Sequence, residues 1–133
     1  MGSQEQESIA VIKKVYEYAD HGDRVGWLEL VADDCEFHEP PSLPYGGSYV
    51  GKKAMEFGLK KMREAWKDLE YQVLDYFASG EVVVVHLQIG ATGHKTGKHF
   101  WTPIMELWRV RDGKVVELRP FIFDTARMVD VFG

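Results

Sequence analysis

The sequence predicts an α+β domain in which helices of the first half pack on one face of a curved, mostly antiparallel sheet. Three observations lead there. Apolar residues near the start recur at spacings of three and four, the helical period. After Asp68 that period gives way to the two-residue alternation of strands. Two short turn signals, Ser79-Gly80 and Asp112-Gly113, then separate strand-like runs, the second a strong hairpin mark.

The elements follow in order. Over residues 4–21, Ile9, Ile12, Val15, Tyr16 and Ala19 share one face of a first helix. His21-Gly22-Asp23 ends it, because Gly22 can take a left-handed cap and Asp23 can N-cap a second helix. Trp27, Leu28, Leu30 and Val31 are that helix's apolar side, and Asp33-Asp34 closes it. A short strand at residues 35–39 stops at Pro40-Pro41, since proline cannot donate to a ladder. Residues 40–48 hold three prolines and two glycines and read as a stiff loop. A third helix spans residues 51–66, with Ala54, Phe57, Leu59, Met62 and Trp66 among its apolar positions. Four strands are expected at residues 69–78, 81–89, 100–111 and 114–123, and a last helical turn at 125–131.

Composition bounds the class. The chain has 133 residues, the length of one domain. Its 16 basic and 21 acidic residues give a net charge of −5, which argues against nucleic acid as a partner. No apolar run approaches the ~20 residues of a membrane span, and the polar, acidic start is unlike a signal peptide, so the expected setting is the cytoplasm, away from membranes. One cysteine, Cys35, excludes an internal disulfide. His94 and His99 lie five apart across a glycine-rich loop, not the i, i+4 spacing of a helical zinc pair, and no metal site is expected.

Several short motifs occur in a telling order. Asp20-His21-Gly22-Asp23 lies between the first helices, followed by the run from Ala32 through Phe37-His38-Glu39-Pro40. Gly47 and Gly51 precede the third helix, and Arg111-Asp112-Gly113-Lys114 leads to Phe123-Asp124. Together these resemble the NTF2-like superfamily, and within it the branch of SnoaL-like polyketide cyclases and ketosteroid isomerases. The resemblance implies a cone-shaped α+β barrel: three N-terminal helices on a curved sheet, with a pocket between them. It does not imply one activity, because this fold carries many. It puts the general base just before the strand-ending proline, at Glu39. It puts a second, proton-sharing acid at Glu106. The oxyanion-hole tyrosine of the isomerases matches Val15, with Tyr16 one position along and turned about 100° round the helix. The cyclases carry an acid near the end of the last strand, where Asp124 stands. Epoxide hydrolases need an Asn at the Glu39 position and an Arg-x-Asp on a strand, and this chain has neither. The pocket implied is lined from the helices by Val15, Tyr16, Phe57 and Trp66. From the strands it is lined by Phe37, Ile104, Trp108, Leu118 and Ile122.

The residues themselves leave two readings at each acid. Glu106 shares a strand face with Ile104 and Trp108. A carboxyl on an apolar face either pairs with a cation, here Arg109, Arg119 or a helix lysine, or stays neutral with a raised pKa. The neutral form would donate a hydrogen bond to a substrate oxygen, a device for which ketosteroid isomerase is itself the standard illustration. Glu39 is either a base at a pocket mouth or a solvated strand end. Asp124 is either a pocket acid or an N-cap. His86 is either a pocket acid/base or a satisfied core histidine.

Two functions follow as expectations. The first is a cofactor-free enzyme working by acid–base chemistry on a small hydrophobic carbonyl compound, an isomerase or a cyclase. Glu39 is its base, Glu106 the oxygen-stabilising donor, and His86 or Asp124 a helper. The second is a domain that binds a small apolar ligand without turnover. Residues 82–85 and 100–107 are apolar on both strand faces, while the helices cover one. A homodimer through the sheet's outer face is therefore expected.

Overall fold

The chain enters its sheet earlier than the apolar pattern suggests. The computed structural model describes residues 2–133. In it α1 spans Ser3–Asp20 and α2 only Arg24–Glu29. Gly22 is left-handed at φ 65° and Asp23 caps α2 by accepting from Gly26 N at 2.9 Å. Strand β1 begins at Val31 and runs to Glu39. Val31 pairs with Val115 and is 1% exposed, so burial of this β-branched residue ends the helix. An irregularity between Val31 and Glu36 then absorbs the exposed Asp33 and Asp34.

The proline-rich loop is shorter than expected and hides a strand. Leu43 N donates to Pro40 O and Gly46 N to Leu43 O, a tight pair of turns. A Cβ at Gly46 would sit 2.3 Å from Pro40 O, so only glycine closes the turn. The turn drives Leu43 and Tyr45 inward and returns the chain as β2, Gly47–Val50, antiparallel to β1. Helix α3, Lys52–Ala65, comes only after these two strands. Two strands therefore separate the third N-terminal helix from the first two, where the sequence reading has one, at residues 35–39.

The rest is a meander: β3 Trp66–Ser79, β4 Val82–Gly93, β5 His99–Arg111 and β6 Lys114–Ile122. Asp112 (φ 51°) and Gly113 (φ 74°) make the left-handed pair that a type I′ hairpin needs. The sheet has six strands in the order β2-β1-β6-β5-β4-β3, and only the β1–β6 pair is parallel. Irregularities in β1–β6, β3–β4 and β5–β6 pairing add local bend and twist.

The inner face carries Val83, Val85, Leu87, Ile104, Trp108 and Leu118, packed on Ile12 and Val15 of α1. A second cluster closes one end. There Met128, Val131 and Phe132 of α4, Thr125–Phe132, meet Tyr45, Trp66 and Phe100. Among the described residues no helix is long and apolar enough to cross a membrane.

Candidate active site

Between α1, α3 and the concave sheet remains a cavity of about 190 Å³. Its wall is mostly apolar and aromatic, with Val15, Trp66, Ile104, Trp108, Leu118 and Ile122 among its members, and two carboxyl groups interrupt it: Glu39 and Glu106. It shares Ala19, Trp27, Leu59, Met62, Trp66 and Leu69 with a wider vestibule of about 490 Å³. The Arg24–Glu56 ion pair lies on that vestibule's wall, joining α2 to α3.

Strand parity places Glu106. Phe100, Thr102, Ile104 and Trp108 are buried on the inner face of β5, so Glu106 points inward with them. No cation reaches it. Arg109 and Arg119 both bind Glu117, each at 3.4 Å. Glu106 Oε1 instead accepts a hydrogen bond from the Tyr16 hydroxyl. Burial raises the Glu106 pKa, and the hydrogen bond from Tyr16 and the nearby Trp108 N–H oppose that rise without cancelling it. Burial and the Glu106 charge in turn push the Tyr16 pKa far up, so Tyr16 remains a donor.

Glu39 ends β1, on the same side as the buried Cys35 and Phe37. Among the described residues no hydrogen bond or ion pair engages its carboxyl, and burial pushes its pKa from the ordinary 4.5 up to about 8. The nearby Glu106 charge adds to that rise. Pro40 and the tight loop fix the strand end, and the loop's Tyr45 lines the cavity beside it. Glu39's charge contributes to a raised Tyr45 pKa, after burial.

The structure brings together Glu39, Glu106, Tyr16, Val15, Trp66, Ile104, Trp108, Leu118 and Ile122. Four expected site residues stand elsewhere. His86 lies between Val85 and Leu87, both buried inward, and so faces the outer side beside Met105. Asp124 caps α4, accepting from Arg127 N at 3.0 Å, and is exposed. Phe57 is 58% exposed, with Lys61 Nζ over its ring at 5.5 Å. The buried side of α3 is fixed instead by Met55 and by Gly58, which lies against the Tyr49 ring. Phe37 is buried behind the wall, edge-on to Trp108 at 6.5 Å.

On α1, Val15 and Tyr16 both line the cavity, despite the offset of about 100° between them. A tyrosine's length carries its hydroxyl across to β5. Sequence reasoning missed Tyr45 and Tyr71. Tyr45 sits in an aperiodic loop. Tyr71 alternates correctly on β3, but the strand's irregularities obscure which face is inner. Its hydroxyl donates to Asp20 at the end of α1. Among the described residues no group of three or more His, Cys, Asp or Glu is placed to hold a metal ion.

Comparison with known proteins fits this geometry. Residues 12–118 match the SnoaL-like domain family, and the chain belongs to it. No curated protein matches the chain. Among solved structures it resembles an NTF2-like protein from Burkholderia xenovorans LB400, at 26% identity and TM-score 0.85, covering 99% of this chain and 100% of that one. It also resembles a protein from Jannaschia sp. CCS1, provisionally called a SnoaL-like polyketide cyclase, at 19% identity and TM-score 0.82, covering 100% and 96%. A third is TerC, co-crystallised with polyporic acid, at 20% identity and TM-score 0.84, covering 95% and 98%. The fold is thus NTF2-like.

The raised Glu39 pKa has a consequence for stability. Between pH 4.5 and about 8 the folded chain keeps a proton that the unfolded chain has released. Stability therefore falls as pH rises through that window, by at most about 1.4 kcal/mol per pH unit for each such proton. Glu39→Gln removes this contribution. Urea midpoints measured from pH 5 to 8.5 should decline less steeply in the variant than in the wild type.

Proposed function

We propose that the chain is a cofactor-independent enzyme that moves a proton next to the carbonyl group of a small hydrophobic compound. The observation that carries this reading is the pair of cation-free carboxyl groups facing one apolar cavity. Glu39, with a pKa near neutrality, is suited to take a proton at working pH. Glu106, whose pKa burial raises, has one oxygen satisfied by Tyr16, and when protonated it can carry its proton on the other oxygen towards a substrate oxygen. As a carbon–hydrogen bond beside the carbonyl breaks, its electrons move onto that oxygen, and Tyr16 and Glu106 stabilise the enolate. Glu39 then returns the proton to a different carbon, or the enolate carbon attacks a second carbonyl in a ring closure. The apolar, aromatic wall favours flat ligands. The naming of one structural relative as a polyketide cyclase, and the crystallisation of another with polyporic acid, support the same substrate class. The hydroxyl that Tyr16 brings from α1 into the pocket supports the enzyme reading over a purely binding role.

The enzyme reading is tested by solvent-deuterium exchange into a panel of cyclic ketones. Wild type should catalyse exchange, with a rate that rises with pH through about 8. Glu39→Gln should lower that rate by roughly 100-fold or more. Equal rates in the two proteins would remove Glu39 as the base.

The second copy belongs to the same proposal. Phe77, Trp101, Met105 and Phe121 on the outer sheet face are 54%, 46%, 41% and 55% exposed, across strands β3, β5 and β6. Arg109, Glu117 and Arg119 place charges of both signs on the same strands. Such a face can complement its own copy about a twofold axis. Light scattering at micromolar concentration should give twice the 15.2 kDa of the chain, and a 15.2 kDa particle would contradict the dimer.

A further inference from the structure

Trp108 is 3% exposed and forms part of the cavity wall. Its indole Nε1 is the one buried side-chain nitrogen or oxygen without a hydrogen-bond partner among the described residues. The ring stands edge-on to Tyr16, with centroids 6.1 Å apart, and edge-on to Phe37 at 6.5 Å. Both rings pack against it. Its N–H lies close enough to the Tyr16 hydroxyl and the Glu106 carboxyl to favour the anionic form of both. This donor has acceptors nearby yet makes no hydrogen bond. An unpartnered buried donor costs stability, so its place beside the two polar groups of the pocket calls for an explanation.

We infer that Trp108 is a positioning residue that acts through Tyr16, its indole N–H engaging the Tyr16 oxygen when the Tyr16 O–H turns from Glu106 to a ligand oxygen. In the free protein Tyr16 donates to Glu106. A ligand oxygen that gains negative charge is the stronger acceptor and draws that O–H to itself. The Tyr16 oxygen then becomes more electron-rich, and Trp108 is the donor beside it. The result is a relay from indole N–H to tyrosine oxygen and from tyrosine O–H to ligand oxygen. Each bond polarises the next. Glu106, released from Tyr16, donates its own proton to the same ligand oxygen. The ligand class is an apolar ring bearing an enolate or phenolate oxygen. The inference rests on the proposed reading of the cavity as a site that stabilises such an oxygen.

Substituted phenols of graded acidity are the probe, because a bound phenolate presents that oxygen without turnover. The Trp108 indole N–H resonance is identified in a nitrogen-15 proton correlation spectrum by its loss in Trp108→Phe. On phenolate binding to the wild type it should move downfield, and further with more basic phenolates. Trp108→Phe should bind the same phenolates about ten- to a hundredfold more weakly, the range for a hydrogen bond that serves a charged group. Its thermal midpoint should stay close to that of the wild type, since the lost ring volume is offset by removal of an unpartnered buried donor. An indole resonance unmoved by bound phenolate overturns the inference, as does a variant that binds equally well. A variant that loses midpoint and affinity together assigns Trp108 a packing role and also overturns it. Failure of the wild type to bind any phenolate would overturn the reading of the cavity as well, so the two failures are distinguishable.

Discussion

The hydrogen bond from Tyr16 to Glu106 is the constraint around which the inner face is arranged. A carboxyl group on an apolar strand face must find a cation, a donor or a proton. Here Arg109 and Arg119 are held on Glu117, and the helix across the cavity supplies a tyrosine rather than a lysine. Glu106 is thereby neither ion-paired nor left bare. Burial raises its pKa, and one of its oxygens is tied to α1. The same bond ties α1 to the centre of the sheet at the depth where Ile12 and Val15 pack on Val83, Val85 and Ile104.

The cavity exists because the two ends of the molecule are packed differently. At one end, α4 folds Met128, Val131 and Phe132 into an aromatic cluster with Tyr45, Trp66 and Phe100. At the other, α2 is short, with Leu28 on the vestibule wall and Trp27 shared between vestibule and cavity. Between these ends the curved sheet and the two long helices leave the cavity unfilled. The polar groups that enter this space are few, and apart from Tyr71 they converge: Glu39 from the end of β1, Glu106 from the middle of β5, Tyr16 from α1 and Tyr45 from the proline loop. Burial acts on all four in the same sense, towards the neutral form. Acid–base chemistry near neutral pH needs groups displaced in this way.

Much of the fold was legible because local signals and packing agree. The i, i+3, i+4 stripe of α1 and the Asp112-Gly113 turn each have a single solution. Strand parity grouped Glu106 with Ile104 and Trp108, but alternation alone cannot say which face is inward. That required α1 on one side. β2 was hidden because the prolines and glycines leading into it signal a loop, while its pairing depends on a turn closed by Gly46. Phe57 was misplaced because hydrophobicity, not shape, guided the helix face, whereas Gly58 is what lets α3 approach Tyr49. His86 and Asp124 were candidates by residue type and neighbourhood, and a one-residue change of face or a capping bond decided each against the pocket. Tyr16 shows the opposite effect. Its backbone position is offset, and its side-chain length makes up the difference.

The central claim is that burial raises the Glu106 pKa while the Tyr16 hydroxyl holds it down. Carbon-13 titration of the Glu106 carboxyl in wild type and in Tyr16→Phe tests it most directly. The account predicts a midpoint above the ordinary 4.5 in the wild type and a higher one still in Tyr16→Phe, because the variant loses a donor to the ionised form. A wild-type midpoint at the ordinary value, or one that does not rise on loss of the hydroxyl, would contradict it.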